Sequence, residues 1–267
     1  MAAPRGGWDT RSAPLTTMRM PSFAPARVLV LALLWTPAAF AQPPTELHYA
    51  EVPPLMHTGP DGQPAGSLVE AVRRWWPAGP MPLLRSVPFK RGVPAVLQGQ
   101  EPICLLGAFR TPEREAAARF STAISQEPVN LVISRRAAAE RVRAHADARS
   151  LVLDTELRLL LTDGASYGAE LDAWLLERGR GIARVAVPPL GQLEMLLRSR
   201  ADFILSDFNE APFLLAKLGA DAQELELVSL PGMPTPPTRH LMCNRRVSAE
   251  WLRAFDARVD FQAAAPR

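Results

Sequence analysis

Residues 102–109, PICLLGAF, are apolar and uncharged along their whole length. A strand with one wet face alternates apolar and polar residues, so an unbroken run of this length belongs to a strand covered on both faces, as in parallel sheets flanked by helices. Such a strand needs other strands beside it and helices above and below, and the rest of the chain supplies both in turn. Residues 47–52 (LHYAEV) read as a strand, followed by a Pro60-Asp61-Gly62 turn. Ser67-Leu68-Val69-Glu70 then has the spacing of a capping box and opens a helix through Trp76. Strand-like residues 84–89 precede a short helix at 93–98; strand 129–133 precedes a helix at 136–145. Strand 158–162 leads through a glycine-flanked turn to a helix with Leu171, Trp174 and Leu175 on one face. Segments 184–187, 192–197, 202–205, 211–218 and 225–230 continue the alternation. This order predicts an α/β architecture with mostly parallel sheets.

Two breaks divide the pattern. Gln126-Glu127-Pro128 separates two strand-like units, and residues 230–238 (LPGMPTPPT) hold four prolines, too many for regular structure. A strand at 239–243 and a helix opened by Ser248 follow. One strand and one helix cannot bury their own faces, so this segment is expected to return to the first unit. The expected organisation is a first lobe of residues 42–126 and 236–267 and a second of residues 127–235.

Residues 1–41 are excluded from that count. Arg19 and Arg27 precede the apolar run 28–40, which is too short to span a bilayer and ends in Ala39-Phe40-Ala41, a small-x-small pattern. This reads as a signal peptide cut after Ala41, with Met18 or Met20 as alternative starts, and implies export to the periplasm. The leader holds four arginines and one aspartate of the chain's 30 basic and 27 acidic residues, which leaves 26 of each sign. A balanced mature chain gives no electrostatic case for nucleic acid or an anionic membrane as partner. Cys104 and Cys243 fit no zinc or CxxC spacing. In an oxidising compartment they form either a disulfide or two separate buried thiols.

Three motifs bear on chemistry. Thr111-Pro112 reads as a helix start, a hydroxyl acceptor followed by a residue with no N–H to leave unbonded. The capping-box position three residues on holds Arg114, a cation at the positive end of the helix dipole, with Arg110 just before the cap. Either Arg114 is an exposed arginine paired with Glu113 or Glu115, or a ligand carboxylate sits at this helix start, where Arg110 adds to the same positive corner. Gly164-Ala165-Ser166-Tyr167-Gly168 fits G-x-S-x-G between a strand and a helix, and Asp207 and His240 follow in hydrolase order. Against a hydrolase, no HGGG-like oxyanion segment precedes it and His240 lies beyond the proline-rich break; a tight turn ahead of a helix explains the glycines better. His48, His57, His145 and His240 are scattered without metal-ligand spacing, so neither metal nor organic cofactor is expected.

Together, PDGQPAGSLVEAV, VPF and GAFRTPEREAAARFSTAI resemble bacterial extracellular solute-binding proteins of family 3, the periplasmic receptors of polar amino acid uptake. Thr111, Arg114, Phe120 and Ser121 match the T-x-x-R…F-S signature, and RSRADFILSD is similar to the G-R-x-D segment, with Ser199 in place of its glycine. The resemblance implies a type II two-lobe α/β fold, each lobe a mixed, mostly parallel sheet flanked by helices, with two hinge strands and ligand in the cleft. It implies that Arg114 holds a ligand α-carboxylate and that Phe89 and Tyr49 stack on the ligand. It further implies that Ser166 helps bind the carboxylate and that Asp207 holds the α-amino group. Arg110 replaces a neutral residue and adds a second cation. The implied role is a monomer that captures a small carboxylate or amino acid for an ABC permease or a membrane sensor. The alternative is a secreted enzyme on a related scaffold, a GASYG hydrolase or a dehydratase of cyclic acids.

Overall fold

The structure, a computed structural model, describes residues 42–126 and 129–261 together with Ala2 and Gly7. The leader read at residues 1–41 lies outside the described residues except for those two, as do Glu127 and Pro128 of the first break.

The chain opens with β1 (Glu46–Tyr49), the hairpin β2 (His57–Thr58) and β3 (Pro64–Ala65), and α1 (Ser67–Trp75). Next come β4 (Leu83–Ser86), α2 (Phe89–Gln98), β5 (Ile103–Phe109), α3 (Pro112–Ala117) and β6 (Arg119–Phe120). A second group follows: β7 (Leu131–Arg135), α4 (Arg136–Arg143), α5 (Ala148–Leu153), β8 (Leu159–Thr162), α6 (Ala169–Arg178) and β9 (Ile182–Val185). It continues with α7 (Pro189–Leu197), β10 (Phe203–Ser206), α8 (Glu210–Leu218) and β11 (Leu225–Val228). β12 (Arg239–Cys243) and α9 (Ala249–Asp256) close the described chain.

The strands form two five-stranded sheets, ordered β4-β1-β5-β12-β6 and β11-β7-β10-β8-β9. Each is mixed. β1 runs parallel to β4 and β5, and β8 parallel to β9 and β10. The antiparallel pairings arise at β12 in the first sheet and at β7 in the second, the strands that enter from the crossings between the sheets. β5, the continuous apolar run, sits in the middle of the first sheet with every residue from Cys104 to Phe109 buried.

β12 reaches the first sheet after the whole second sheet has been built. Cys243 lies directly opposite Cys104, and the two form a disulfide, which settles the alternative left open by their spacing. α9 packs Trp251 on Trp76 at 4.8 Å between ring centroids, with Phe255 stacked behind. Such aromatic pairs add about 0.5–1.5 kcal/mol to the burial of their surface.

Two local expectations need correction. Ser67 is not the cap of α1: Gly66 is, at φ 115°, and the Ser67 hydroxyl has no hydrogen-bond partner among the described residues. The first helical N–H groups donate instead to the carbonyls of Pro54 and Leu55, and a Cβ on Gly66 would lie 2.4 Å from the Leu55 oxygen. Close backbone approach replaces the side-chain cap, which only glycine permits. Phe89 likewise leaves the strand and begins α2. The ladder ends where Val87 donates to Tyr49, because Pro88 has no N–H to continue it.

In the second sheet, Asp202 ties β7, β8 and β10 together. It accepts from the Arg158 backbone and side chain and from Arg135. Burial alone would raise its carboxyl, but these donors outweigh burial and hold it well below the usual carboxylate range. Nearby, Ser199 stands in the left-handed region at φ 58°, where the resembled segment has glycine. Ser199→Gly is expected to stabilise the protein by up to about 1 kcal/mol, partly offset by losing the 3.3 Å contact from Arg135 to its hydroxyl. Chemical denaturation of the two proteins checks this; a destabilised variant would mean that the Arg135 contact outweighs the strain.

Candidate functional site

The ends of β1, β4, β5, β8 and β10 and the crossings between the sheets surround a cavity of about 170 Å³. The first lobe contributes Glu51, Ser86, Phe89, Arg114 and, from β12, Arg239, the second Ser166, Gln192, Asp207 and Glu210, and the crossings Asn130 and Pro236.

Arg114 is set by its own helix start. The Thr111 hydroxyl accepts from the Arg114 N–H at 3.3 Å and Pro112 takes the first helical position. The side chain is only 8% exposed and donates to the carbonyls of Phe109 (3.1 Å) and, across the cavity, Gly164 (3.2 Å). Burial pulls the guanidinium pKa down, opposed by the charges of Asp172 and Glu113. An arginine starts so high that it stays charged, and its remaining N–H groups are available to an anion in the cavity.

Gly164 brings the second lobe against the first. At φ 77° it lies over the backbone of α2, where a Cβ would come within 2.5 Å of the Lys90 nitrogen, and Lys90 pairs with Asp163 at 2.6 Å. The glycine thus serves lobe contact. Ser166, in the same turn, donates to Asp172 at 2.5 Å, and Asp172 also accepts from the Tyr167 N–H. Asp172 therefore holds the turn ahead of α6, whose N-cap, Gly168, makes no side-chain hydrogen bond.

Asp207 follows β10, is 8% exposed and accepts from the N–H groups of Asn209 (2.7 Å) and Glu210 (3.1 Å). Glu210 accepts from the Ser206 hydroxyl at 3.1 Å. Its carboxyl is pushed up to about 8, first by burial and next by the charge of Asp207, against the Ser206 hydrogen bond and the attraction of Arg239. It is therefore protonated at neutral pH. Arg239 donates to the Gly107 carbonyl at 2.9 Å and stacks on Phe109.

Of the six residues singled out in the sequence, Arg114, Phe89, Ser166 and Asp207 line the cavity. Arg110 and Tyr49 do not. Arg110 lies at the surface, bonded to Glu115 and the Ser121 carbonyl and stacked on Phe120, so its partner is internal. Tyr49 is in the core of the first lobe, its hydroxyl 3.0 Å from Thr58. The hydrolase constellation is not assembled either: His240 is held by the Ser121 carbonyl and Thr238, while Ser166 is turned to Asp172. Burial lowers the His240 pKa, as does the charge of Arg110, against the Ser121 carbonyl. The sequence reading missed Glu51, Glu210 and Arg239. Glu210 had a usable signal, the D-x-x-E spacing from Asp207 that marks a helix start. Glu51 and Arg239 had none, since an isolated charge at the end or start of a strand has no pattern. Among the described residues no cluster of His, Cys, Asp or Glu could hold a metal ion, and no helix is long and apolar enough to cross a membrane.

No protein-family model matches the sequence, and no curated protein matches it. Solved structures do. A histidine kinase sensor domain with similarity to periplasmic binding proteins aligns with TM-score 0.64 and 17% identity, over 82% of this chain and 90% of that one. An amino acid ABC transporter substrate-binding protein from Streptococcus pneumoniae, bound to L-arginine, aligns with TM-score 0.61 and 18% identity over 80% and 87%. An ancestral amino acid-binding protein, a precursor of cyclohexadienyl dehydratase, aligns with TM-score 0.60 and 15% identity over 80% and 88%. The fold is thus the two-lobed one of periplasmic binding proteins.

Proposed function

We propose that this two-lobed chain is an exported solute-binding protein of the family 3 type, a monomer that captures an amino acid in its cleft for an ABC permease or a membrane sensor. One observation carries the reading: a buried cation, Arg114, and a buried anion, Asp207, stand in different lobes on the wall of one cavity. A zwitterion offers a carboxylate to the first and an ammonium to the second. It contacts both only when the lobes are together, so binding favours the closed arrangement. Ser166 supports the carboxylate end less directly, because Asp172 already engages its hydroxyl. Export to the periplasm is supported by the leader pattern of residues 1–41.

Thermal-shift screening against amino acids and organic acids tests the reading. A ligand at 100 times its Kd should stabilise by about 2.7 kcal/mol, a shift of several degrees. Arg114→Ala should weaken that ligand by about 100-fold while preserving the fold, since the hydrogen bonds it loses go to backbone carbonyls. Unchanged affinity in the variant would sink the carboxylate assignment, and a flat response across the panel would sink the binding role.

A second reading is favoured by Glu210, a carboxyl in the cavity wall that carries its proton at neutral pH. Beside the Arg114 guanidinium, which could anchor a carboxylate, it is suited to protonate the departing hydroxyl of a cyclic acid, with the Asp207 carboxylate in the same wall to take the ring proton and complete the loss of water. Turnover of such an acid, lost in Glu210→Gln, would favour this reading over binding alone.

A further inference from the structure

Two carboxylates of the cavity wall are met only by neutral donors. Asp207 accepts from backbone N–H groups, and Glu51 accepts from the Thr58 N–H (2.9 Å) and from the hydroxyls of Thr58 (2.7 Å) and Ser86 (2.5 Å). Among the described residues no ion pair reaches either one. They lie in different lobes, and Glu51 is held in place from behind, because Tyr49 supports the same Thr58 hydroxyl. Asp207 is buried, and taking its charge out of water is costly unless it is paired; Glu51 is half-buried and fixed in place by three donors, so the two offer separate negative sites to positive centres of an occupant.

The shape of the space separates those centres. Glu51, Pro188, Pro189 and Leu214 line both the main cavity and a second one that leads outward past His57 and Phe213. Glu51 therefore stands at the junction. The wall shared by the two spaces is otherwise apolar, suited to methylene groups. Lys217, the cation of the outer space, lies over the Phe213 ring at 5.5 Å.

We infer that the ligand is an α-amino acid with a cationic side chain. Its carboxylate is held by Arg114, its α-ammonium by Asp207, its stem by Phe89, Pro188 and Leu214, and its terminal ammonium or guanidinium by Glu51. This rests on the amino acid-binding reading and adds the charge class of the side chain, with Glu51 as the residue that selects it.

Calorimetric titration of the full mature chain with L-lysine, L-ornithine and L-arginine, and with the uncharged analogues norleucine and citrulline, tests it. The cationic ligands should bind at least 100-fold more tightly than their uncharged counterparts, and Glu51→Gln should erase that advantage. The wild-type ligand series stands even if the variant fails to fold. Norleucine or citrulline binding as tightly as lysine or arginine would overturn the inference and leave the amino acid-binding reading intact; so would a folded Glu51→Gln variant that keeps the preference. 1,5-Diaminopentane binding as well as lysine would remove the need for a carboxylate and overturn both. So would the absence of binding by any amino acid.

Discussion

Replacing Cys104 and Cys243 together by alanine is expected to lower stability by up to about 5 kcal/mol, the largest single effect we foresee on folding. The two residues are 139 positions apart, and a cross-link over so long a loop removes much of the unfolded chain's freedom. The bond also lies where the first lobe is least continuous. β12 joins its sheet only after about a hundred residues have been laid down elsewhere, and the disulfide pins it to β5 at the centre of that sheet. Both cysteines are fully buried, so mild reductant on the native protein should act slowly, and the double variant is the cleaner comparison. Urea denaturation would measure the loss. A difference below about 1 kcal/mol would mean that the return of β12 is secured by packing of α9, through Trp76, Trp251 and Phe255, with the disulfide nearly redundant.

The second large effect is a pH dependence carried by Glu210. In the folded protein its carboxyl titrates at about 8, whereas an ordinary glutamate titrates at 4.5. Between those values the folded state holds a proton that the unfolded state has released. Stability must therefore fall as pH rises through this window, by roughly 3–5 kcal/mol for a shift of this size. Glu210→Gln cannot ionise and keeps the acceptor for Ser206. The variant should match the wild type near pH 4.5 and exceed it progressively towards pH 9, where the gap in Tm should reach about 10 °C. Parallel melting curves from pH 5 to 9 would reject a raised Glu210 carboxyl beside Asp207. Ligand binding should alter the profile, because an ammonium placed on Asp207 offsets the charge that holds the Glu210 proton in place.

These two expectations draw on different kinds of information. The alternation of strands and helices, the buried character of β5 and the Thr111-Pro112 start of α3 could be read directly, since each depends on residues adjacent in the chain. The same proximity let Arg114 stand out, a cation in a turn that favours acids. Where a reading failed, a distant contact had replaced a local one. Ser67 lost its capping role to the carbonyls of Pro54 and Leu55, and Arg110 found Glu115, Phe120 and the Ser121 carbonyl in place of a ligand.

The linear chain was enough for the element order and for the capped turn that presents Arg114, because hydrogen-bond periodicity and capping act over three or four residues. It was not enough for the composition of the cleft. Glu51, Arg114, Glu210 and Arg239 come from four distant stretches, and they share one cavity only because two sheets have been assembled and brought together where Gly164 meets α2. Their fields act through space and not along the backbone. That is why the Glu210 proton and the two carboxylates that no ion pair reaches among the described residues emerge only from the folded molecule.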